Sequence, residues 1–314
     1  MFSPLLAALA LAFADEPRPA HPGAVAILPP GAKLEKLWGD GEFTEGGARA
    51  ADGSVLFSDI GNRIMRFDPK TGQTTVFRDP SGRANGLIFT PDGRLVAAEG
   101  ANTGGNRRVS ITEPDGTVRT LADRYEGKRF NSPNDVAVDS KGRVYFSDPR
   151  YVGDEPRELD FEGVFRIDPD GAVTRLETTA TKPNGLVVSP DEKTLYVSDN
   201  GSKRRALLAV ALNDGEAGKV RVLKEFGTGR GIDGMTVTTD GKIVAAAGSG
   251  PLGGVYVYEP DGTPVAFLAV PESPTNVEFA GPENKTRYST AGKSLYRIVT
   301  TLTGHRVGPK AVQP

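Results

Sequence analysis

The sequence predicts an all-β protein folded as a six-bladed β-propeller. Its 314 residues include 39 glycines and 24 prolines spread along the whole length, a composition typical of many short strands joined by tight turns. One strand-like run recurs six times, at steps of 40, 49, 51, 48 and 44 residues. This period matches a four-stranded propeller blade and exceeds that of most helical repeats.

The recurring run is apolar and follows turns such as DG and DEK. Its six copies end at Asp59, Glu99, Asp148, Asp199, Ala247 and Ala291. Copies continue into a second apolar strand and another turn, as in RRVSITEPDG and GVYVYEPDG. A meander of this kind buries both faces only against neighbouring blades, so six copies are expected to close into a ring that removes exposed edges.

The ring is predicted to occupy residues 24–304 as a single domain. Residues 24–38 are predicted to supply strands that complete the last blade, and residues 305–314 are interpreted as a C-terminal tail. The sequence carries no signal for an oligomeric state.

The N-terminus resembles a secretory signal peptide. An apolar run from Leu5 to Phe13 leads into a small-x-small site, Ala12 to Ala14, although the usual positive segment before the run is missing. The run is too short to span a bilayer. Residues 1–14 are therefore predicted to be a signal peptide, and the protein is expected to be exported to the periplasm or secreted.

Charge and residue usage exclude several kinds of site. The net charge is −2 with both signs interleaved, so no basic stripe is available for nucleic acid. The chain has no cysteine, which excludes thiol nucleophiles, thiolate metal sites and disulfides. Its two histidines, His21 and His305, lie outside the repeats and argue against a histidine triad.

A second recurring set lies fourteen or fifteen residues before each end point, where the chain should enter a blade near the axis. Its members are Glu45, Asn85, Asn134, Asn184, Asp233 and Asn276. Five of the six precede a residue suited to turns: Gly46, Gly86, Asp135, Gly185 and Gly234. Asn-Gly pairs are common turn signals, but their recurrence in phase predicts that the six side chains converge on the central channel.

These convergent side chains predict a metal site. Two carboxylates and several amide oxygens, without sulfur or imidazole, favour one divalent cation, with Ca²⁺ preferred and Mg²⁺, Mn²⁺ or Zn²⁺ as alternatives. Clustered buried acids repel each other and resist ionisation unless a cation accompanies them. Glu45 and Asp233 would balance a charge of +2.

Several stretches resemble the family of gluconolactonases, regucalcin and luciferin-regenerating enzyme, and look most like microbial gluconolactonases. The stretches are FTEGG (43–47), LFSDIGNRI (56–64), ADRYEGKRFNSPNDVAV (122–138), YFSDPRY (145–151), KPNGLVVSPDEKTLYVSDN (182–200) and GIDGM (231–235). The family's usual TEGP is TEGG here, and Ser132 stands where regucalcin has a substrate-contacting arginine.

The resemblance implies an axial metal held from different blades by Glu45, Asn134, Asn184 and Asp233. It also implies a small sugar-type lactone as substrate. We expect the cation to polarise the lactone carbonyl while Asp233 acts as general base, and Asn85 and Asn276 to contact substrate or water. Two alternatives stay open: a phosphotriesterase on the same metal site, and a non-catalytic binding propeller.

Other features receive structural interpretations. The in-phase acids Asp59, Glu99, Asp148 and Asp199 are expected to accept hydrogen bonds from turn amides. The arginine pairs at 107–108 and 204–205 are expected to be solvated loop charges. The GxGxxG at 229–234 leads into a strand-like run, which excludes a dinucleotide fingerprint. The polar segments 102–108 and 151–163 are predicted to overhang the pocket.

Overall fold

The computed structural model describes residues 24–100, 104–227 and 229–307. The predicted signal peptide and residues 308–314 of the predicted tail lie outside the described residues. Within them, no helix is long and apolar enough to cross a lipid bilayer.

Strands make up six antiparallel four-stranded sheets, in which sequence neighbours pair. Blade 1 contains β2 (Thr44–Arg49), β3 (Val55–Asp59), β4 (Arg63–Asp68) and β5 (Gln73–Arg78). Blade 2 contains β6 (Ala84–Phe89), β7 (Leu95–Glu99), β8 (Arg108–Thr112) and β9 (Val118–Ala122). After a short hairpin of β10 (Arg124–Tyr125) and β11 (Lys128–Arg129), blade 3 contains β12 (Val136–Val138), β13 (Val144–Asp148), β14 (Gly163–Ile167) and β15 (Val173–Leu176).

The second half repeats this meander. Blade 4 contains β16 (Pro183–Val188), β17 (Thr194–Asn200), β18 (Arg205–Asn213) and β19 (Glu216–Glu225). Blade 5 contains β20 (Ile232–Val237), β21 (Ile243–Ala247), β22 (Gly254–Tyr258) and β23 (Pro264–Ala269). Blade 6 contains β24 (Pro274–Ala280), β25 (Thr286–Ala291), β26 (Ser294–Val299) and, as its outermost strand, β1 (Glu35–Trp38).

The first strand of each blade lies at the centre of the ring. β2 contacts both β6 and β24, and the contacts continue through β12, β16 and β20 until the circle closes. The predicted six-bladed propeller is therefore confirmed. Strand β20 begins at Ile232, inside the GxGxxG segment, and no helix follows it there among the described residues, so the exclusion of a dinucleotide fingerprint is confirmed as well.

Six apolar clusters form the core, one between each pair of adjacent blades. Strand β13 shows the cause, because successive side chains of a strand point to opposite faces. Val144 and Phe146 pack toward blade 2, whereas Tyr145 between them packs toward blade 4. Each blade thus buries two faces, which explains why second strands such as β3, β7 and β13 are buried at every residue.

Ring closure was predicted from residues 24–38, and the structure corrects part of that prediction. Glu35–Trp38 does pair with β26 and completes blade 6. Residues Ala24–Ile27, however, form a 3₁₀ helix rather than a strand. Pro29 and Pro30 follow this turn and have no amide proton to donate to a ladder.

Candidate active site

Each site residue is presented by an irregularity in an inner strand. The ladder register breaks between Glu45 and Ala48 in β2, and comparable breaks flank Asn85, Asn184 and Asp233. Asn85, Asn184 and Asp233 lie inside these bulges, which leave them out of the ladder and re-aim their side chains. Glu45 still pairs with Ser58, and the two glycines after it fall in the bulge. In blade 3, Asn134 lies before β12 and is fixed by its own backbone: its amide donates to the Ser147 carbonyl at 2.9 Å, and its carbonyl accepts from the Gly86 amide at 2.7 Å.

The glycines after these residues are required by the close approach of the next blade. A Cβ on Gly46 would lie 2.4 Å from the Asn85 carbonyl oxygen, and one on Gly86 would lie 2.9 Å from that of Asn134. On Gly185 it would lie 2.1 Å from the Asp233 carbonyl oxygen. The glycine in each of these residue pairs therefore has two effects. It allows the strand to bend, and it allows neighbouring blades to come into contact at the axis.

Five of the six predicted axial residues line one cavity of about 460 Å³. They are Glu45, Asn85, Asn134, Asn184 and Asp233. The five residues come from five different blades, so ring closure brings together positions that are far apart in the chain. Tyr151 and Val152 also line this cavity, in agreement with the prediction that the segment after residue 150 overhangs the pocket.

Asn276 is the exception, and its predicted contact with substrate is corrected. It does not line this cavity; its Oδ1 accepts from the Val277 amide at 2.7 Å, and its side chain lies against Gly234. The register break in β24 falls between Pro274 and Asn276, so Asn276 pairs in the ladder with Thr290. Asn276 thus differs from Asn85, Asn184 and Asp233, which lie inside their bulges.

Burial perturbs the two carboxylates of the site. Glu45 is 5% exposed, and burial raises its pKa well above the usual range, with Asp233 adding repulsion and Arg230 opposing both effects. Burial also raises the pKa of Asp233, while Arg230 and a hydrogen bond from Asn184 lower it. Two acids that destabilise each other's charged form have a strong affinity for positive charge.

Asp233 is held from two sides. The Asn184 Nδ2 donates to its Oδ1 at 2.7 Å, and the Arg230 guanidinium forms an ion pair with its Oδ2. Arg230 is anchored in turn, because its Nη1 donates to the Pro274 carbonyl at 2.7 Å and the Gly248 carbonyl at 3.1 Å. The carboxylate is thereby oriented before any ligand arrives.

The donor set fits a hard divalent cation. Glu45, Asn134, Asn184 and Asp233 offer carboxylate and amide oxygens in one cavity, and no cluster of three or more His, Cys, Asp or Glu exists among the described residues to compete with it. Asn184 presents its Nδ2 to Asp233, but rotation of an amide by half a turn exchanges nitrogen for oxygen.

Sequence reasoning missed the basic residues of the cavity. Arg83, Arg205 and Arg230 all line it. The sequence signal that could have identified two of them is their short distance from predicted site residues. Arg83 precedes Asn85 by two residues, and Arg230 precedes Asp233 by three. An alignment of shared repeat positions hides residues that occur in one blade only. The prediction that Arg205 is a solvated loop charge was therefore wrong.

The other three arginines of those pairs were also predicted to be solvated, and this too was wrong. Arg107 is 4% exposed, and its Nε donates to the Phe130 carbonyl at 2.8 Å. Arg108 pairs with Glu99 at 2.7 Å, and Arg204 pairs with Asp199 at 2.8 Å. The acids at the ends of the aligned strands attract these cations inward.

Those in-phase acids perform the structural task expected of them. Three accept hydrogen bonds of 2.6–3.2 Å from the backbone that leads into the inner strand: Asp59 from Glu42 and Phe43, Asp148 from Asn131 and Ser132, and Asp199 from Thr181 and Lys182. Glu99 differs, because side chains supply its partners, Arg78, Asn106 and Arg108. The acids fix the segments that carry the site residues.

Comparison with known proteins identifies the family. Residues 43–293 match the model of the SMP-30/Gluconolactonase/LRE-like region. A gluconolactonase from Zymomonas mobilis is 31% identical over 89% of this chain and 84% of its own, and the pentonolactonase XacC from Haloferax volcanii is 32% identical over 73% and 74%. The crystal structure of a gluconolactonase from Xanthomonas campestris superposes with a TM-score of 0.80 at 28% identity, covering 90% of this chain and 99% of that one. With five axial side chains in one cavity and a family match over most of its length, the chain belongs to the SMP-30/gluconolactonase/LRE-like family.

Proposed function

We propose that the protein is a metal-dependent lactonase that opens a small, sugar-type lactone. The observation that carries this proposal is the convergence of Glu45, Asn134, Asn184 and Asp233 from four blades on a single cavity of about 460 Å³. Relatives named as gluconolactonase and pentonolactonase support the substrate class. A cavity of this size accommodates a sugar-sized ligand.

The four residues would hold one divalent cation, Ca²⁺ by the hardness of its donors. When bound, the cation supplies Lewis-acid chemistry to a carbonyl oxygen and lowers the pKa of water. Glu45 contributes charge, while Asn134 and Asn184 contribute neutral oxygens that leave the positive charge incompletely neutralised. Asn85 lines the same cavity and is placed to contact the substrate.

Asp233 is the general base of the proposed reaction. Its carboxylate accepts a proton as water attacks the lactone carbonyl, forming the new C–O bond. When the ring C–O bond breaks, the ring oxygen receives that proton and leaves as a hydroxyl, so the product is a hydroxy acid. Arg230 and Asn184 keep the carboxylate aimed during both transfers.

The first experiment measures hydrolysis of glucono-δ-lactone by wild type, Glu45→Gln and Asp233→Asn, with and without a chelator. We expect a loss of at least about a hundredfold in kcat/KM for each variant, since each removes a charge from the reacting centre. Asp240→Asn, in the turn after β20 with its side chain 58% exposed, is the matched control and should retain activity.

Two results would reject the proposal. One is unchanged turnover in both site variants, which would remove these carboxylates from the reaction. The other is turnover of an aryl phosphotriester or a fluorophosphate without any lactone hydrolysis, which would assign the same residues to phosphoryl chemistry. Metal binding without any turnover would favour the binding-propeller alternative.

A further inference from the structure

The lining of the cavity is richer in positive than in negative charge. Arg83, Arg205 and Arg230 line it together with two carboxylates, Glu45 and Asp233. The remaining lining side chains are neutral. Three guanidinium groups around two acids leave a formal excess of one positive charge, and a divalent cation held by the acids would raise that excess. Positive potential confined in a cleft attracts anionic ligands.

Arg83 reaches this lining through a costly backbone conformation. Its φ is 61°, in the left-handed region that few residues other than glycine adopt. Asn62 holds the turn. Its side-chain Oδ1 accepts a hydrogen bond from the Arg83 amide at 2.9 Å, and its main-chain carbonyl accepts one from the Ser81 amide at 2.8 Å. Backbone conformations of this kind persist where the surroundings enforce them, and they cluster at ligand sites.

The guanidinium of Arg83 is oriented as well. Its Nη1 donates to the Ile60 carbonyl at 3.1 Å, and Ile60 lines the same cavity. Arg205 is oriented in a similar way by the Gly229 carbonyl, at 2.8 Å from its Nη1. A guanidinium is a planar fork that matches carboxylate and phosphate oxygens, and its bonds to anions are stronger than those between neutral groups. Neutral hydroxyl groups of a simple sugar lactone do not require such a fork.

We propose that the preferred lactone carries an additional anionic group, a carboxylate or a phosphate monoester, and that Arg83 is the residue that recognises it. Arg205 adds positive potential from another part of the cavity wall. This proposal rests on the proposed lactonase function and specifies its substrate class. Arg230 has a different role, since its ion pair with Asp233 orients the proposed general base.

The test compares kcat/KM for three lactones: neutral glucono-δ-lactone, 6-phosphoglucono-δ-lactone and glucarolactone, which carry no anion, a phosphate and a carboxylate respectively. Wild type should favour at least one anionic lactone by about tenfold or more. Arg83→Gln should lose about tenfold on the anionic lactone and stay within about threefold on the neutral one. Arg83→Lys should recover part of the loss, because it keeps the charge but not the fork.

Arg94→Gln is the matched control, since the Arg94 side chain is 33% exposed, pairs with Asp92 and does not line this cavity. Its kinetics should equal those of wild type on all three lactones. The proposal is overturned if wild type shows no preference for an anionic lactone, or if Arg83→Gln lowers turnover of neutral and anionic lactones equally. Neither result affects the proposed lactonase function.

Ligand binding separates the two proposals if no lactone is hydrolysed. Calorimetry with glucarate, 6-phosphogluconate and gluconate compares two dianionic or more highly charged acids with a monoanionic one of the same configuration. Tighter binding of a more highly charged acid by wild type, lost in Arg83→Gln, supports recognition by Arg83 even though lactonase function has failed. Equal affinities, or the same preference in Arg83→Gln, overturn it.

Discussion

The two mouths of the central channel are built from the same six strands and differ in almost every property. One mouth holds the polar cavity of about 460 Å³ into which Glu45 and Asp233 project. The other holds a space of about 70 Å³, lined by the later residues of all six inner strands and by His305, Arg306 and Val307. Acids and amides lead into the inner strands at the first mouth, which we call the polar mouth. Aliphatic residues of the same strands reach the second mouth, which we call the apolar mouth, although Arg49, Glu278 and Arg306 also line it.

The C-terminal residues account for part of this difference. His305 donates from its amide to the Val237 carbonyl at 2.8 Å, and Gly304 bridges to Thr238 in the strand β20 region. The Asn284 Nδ2 donates to the Gly304 carbonyl at 2.7 Å. The predicted tail, residues 305–314, therefore begins with residues that pack across the apolar mouth. Among the described residues, the space at this mouth is far smaller than the cavity at the other, about 70 Å³ against about 460 Å³.

The largest expected difference between the two mouths concerns the proposed cation, which should bind at the polar mouth alone. Adding Ca²⁺ to chelator-treated protein should stabilise the fold by about 2.7 kcal/mol at a hundredfold excess over the Kd. Thermal melting measures this effect. Glu45→Gln should respond much less, because one of two charged ligands is gone.

Glu278→Gln is the control at the opposite mouth, since Glu278 lines the small space and not the site. It should respond to Ca²⁺ like wild type. A response of Glu45→Gln equal to that of wild type would mean that the ion stabilises the protein from somewhere else.

A second prediction concerns the close approach of blades 4 and 5 at the polar mouth. Gly185→Ala places a Cβ 2.1 Å from the Asp233 carbonyl oxygen, so blade 5 must shift and take Asp233 with it. We expect a loss of about 1–3 kcal/mol in the free energy of unfolding, as for other overpacked sites. We also expect a fall in kcat/KM of about tenfold or more, because small displacements of reacting groups are costly.

Gly218→Ala is matched to it. A Cβ on Gly218, in an outer strand, would lie at ordinary distances from Ala211, 3.5 Å from its carbonyl oxygen and 3.7 Å from its Cβ. Stability and turnover should stay near wild type there. Equal effects of the two substitutions would show that contact at the axis is not what requires glycine.

The axial positions could be predicted from sequence because residues at the same position of successive repeats come together at the axis when the ring closes. Glu45, Asn85, Asn134, Asn184 and Asp233 share that phase and line one cavity. The sequence could not reveal the register of each bulge, and Asn276, which has the same phase, pairs with Thr290 and does not line the cavity.

The cavity walls were harder to predict than its axis. Arg83 and Arg230 each occur once, so no repetition marks them. Their positions depend on contacts between segments. Arg83 has a left-handed backbone conformation that Asn62 holds in place. Arg230 is anchored by the carbonyls of Gly248 and Pro274. Interactions between segments distant in sequence leave no periodic signal.

A third prediction concerns the closure of the apolar mouth. Deleting residues 304–314 removes the contacts of Gly304 and His305 with Val237, Thr238 and Asn284. Three hydrogen bonds are lost, and each contributes about 1 kcal/mol net, so we expect a loss of about 2–3 kcal/mol, read from urea unfolding. KM should be unchanged, because the other mouth keeps its lining.

Deleting only residues 308–314 keeps those contacts and serves as the control. The longer deletion should melt below this control, since only the longer one removes those contacts. If the longer deletion raised KM as strongly as it lowered stability, the two mouths would be coupled, contrary to the independence expected here.

The smallest expected effect is a dependence of stability on pH at the apolar mouth. Burial raises the pKa of Glu278 to about 7 from its usual 4.5, with Asp135 raising it further and Arg49 opposing the shift. The folded protein therefore binds more protons than the unfolded chain between these values, so this group's contribution to stability falls as pH rises from about 4.5 through about 7. His305 at the same mouth acts in the opposite direction, because burial lowers its pKa, and Arg306 stays charged throughout.

Glu278→Gln isolates the carboxyl, since Arg49, Asp135, His305 and Arg306 remain in both proteins. The variant should match wild type at pH 5 and melt about 2–4 °C higher at pH 8. Glu283→Gln, whose side chain is 72% exposed beside Lys285, should show no such divergence. Parallel melting curves for wild type and Glu278→Gln across this range would mean that the carboxyl is as well solvated in the folded protein as in the unfolded chain, and that the apolar mouth is open to water.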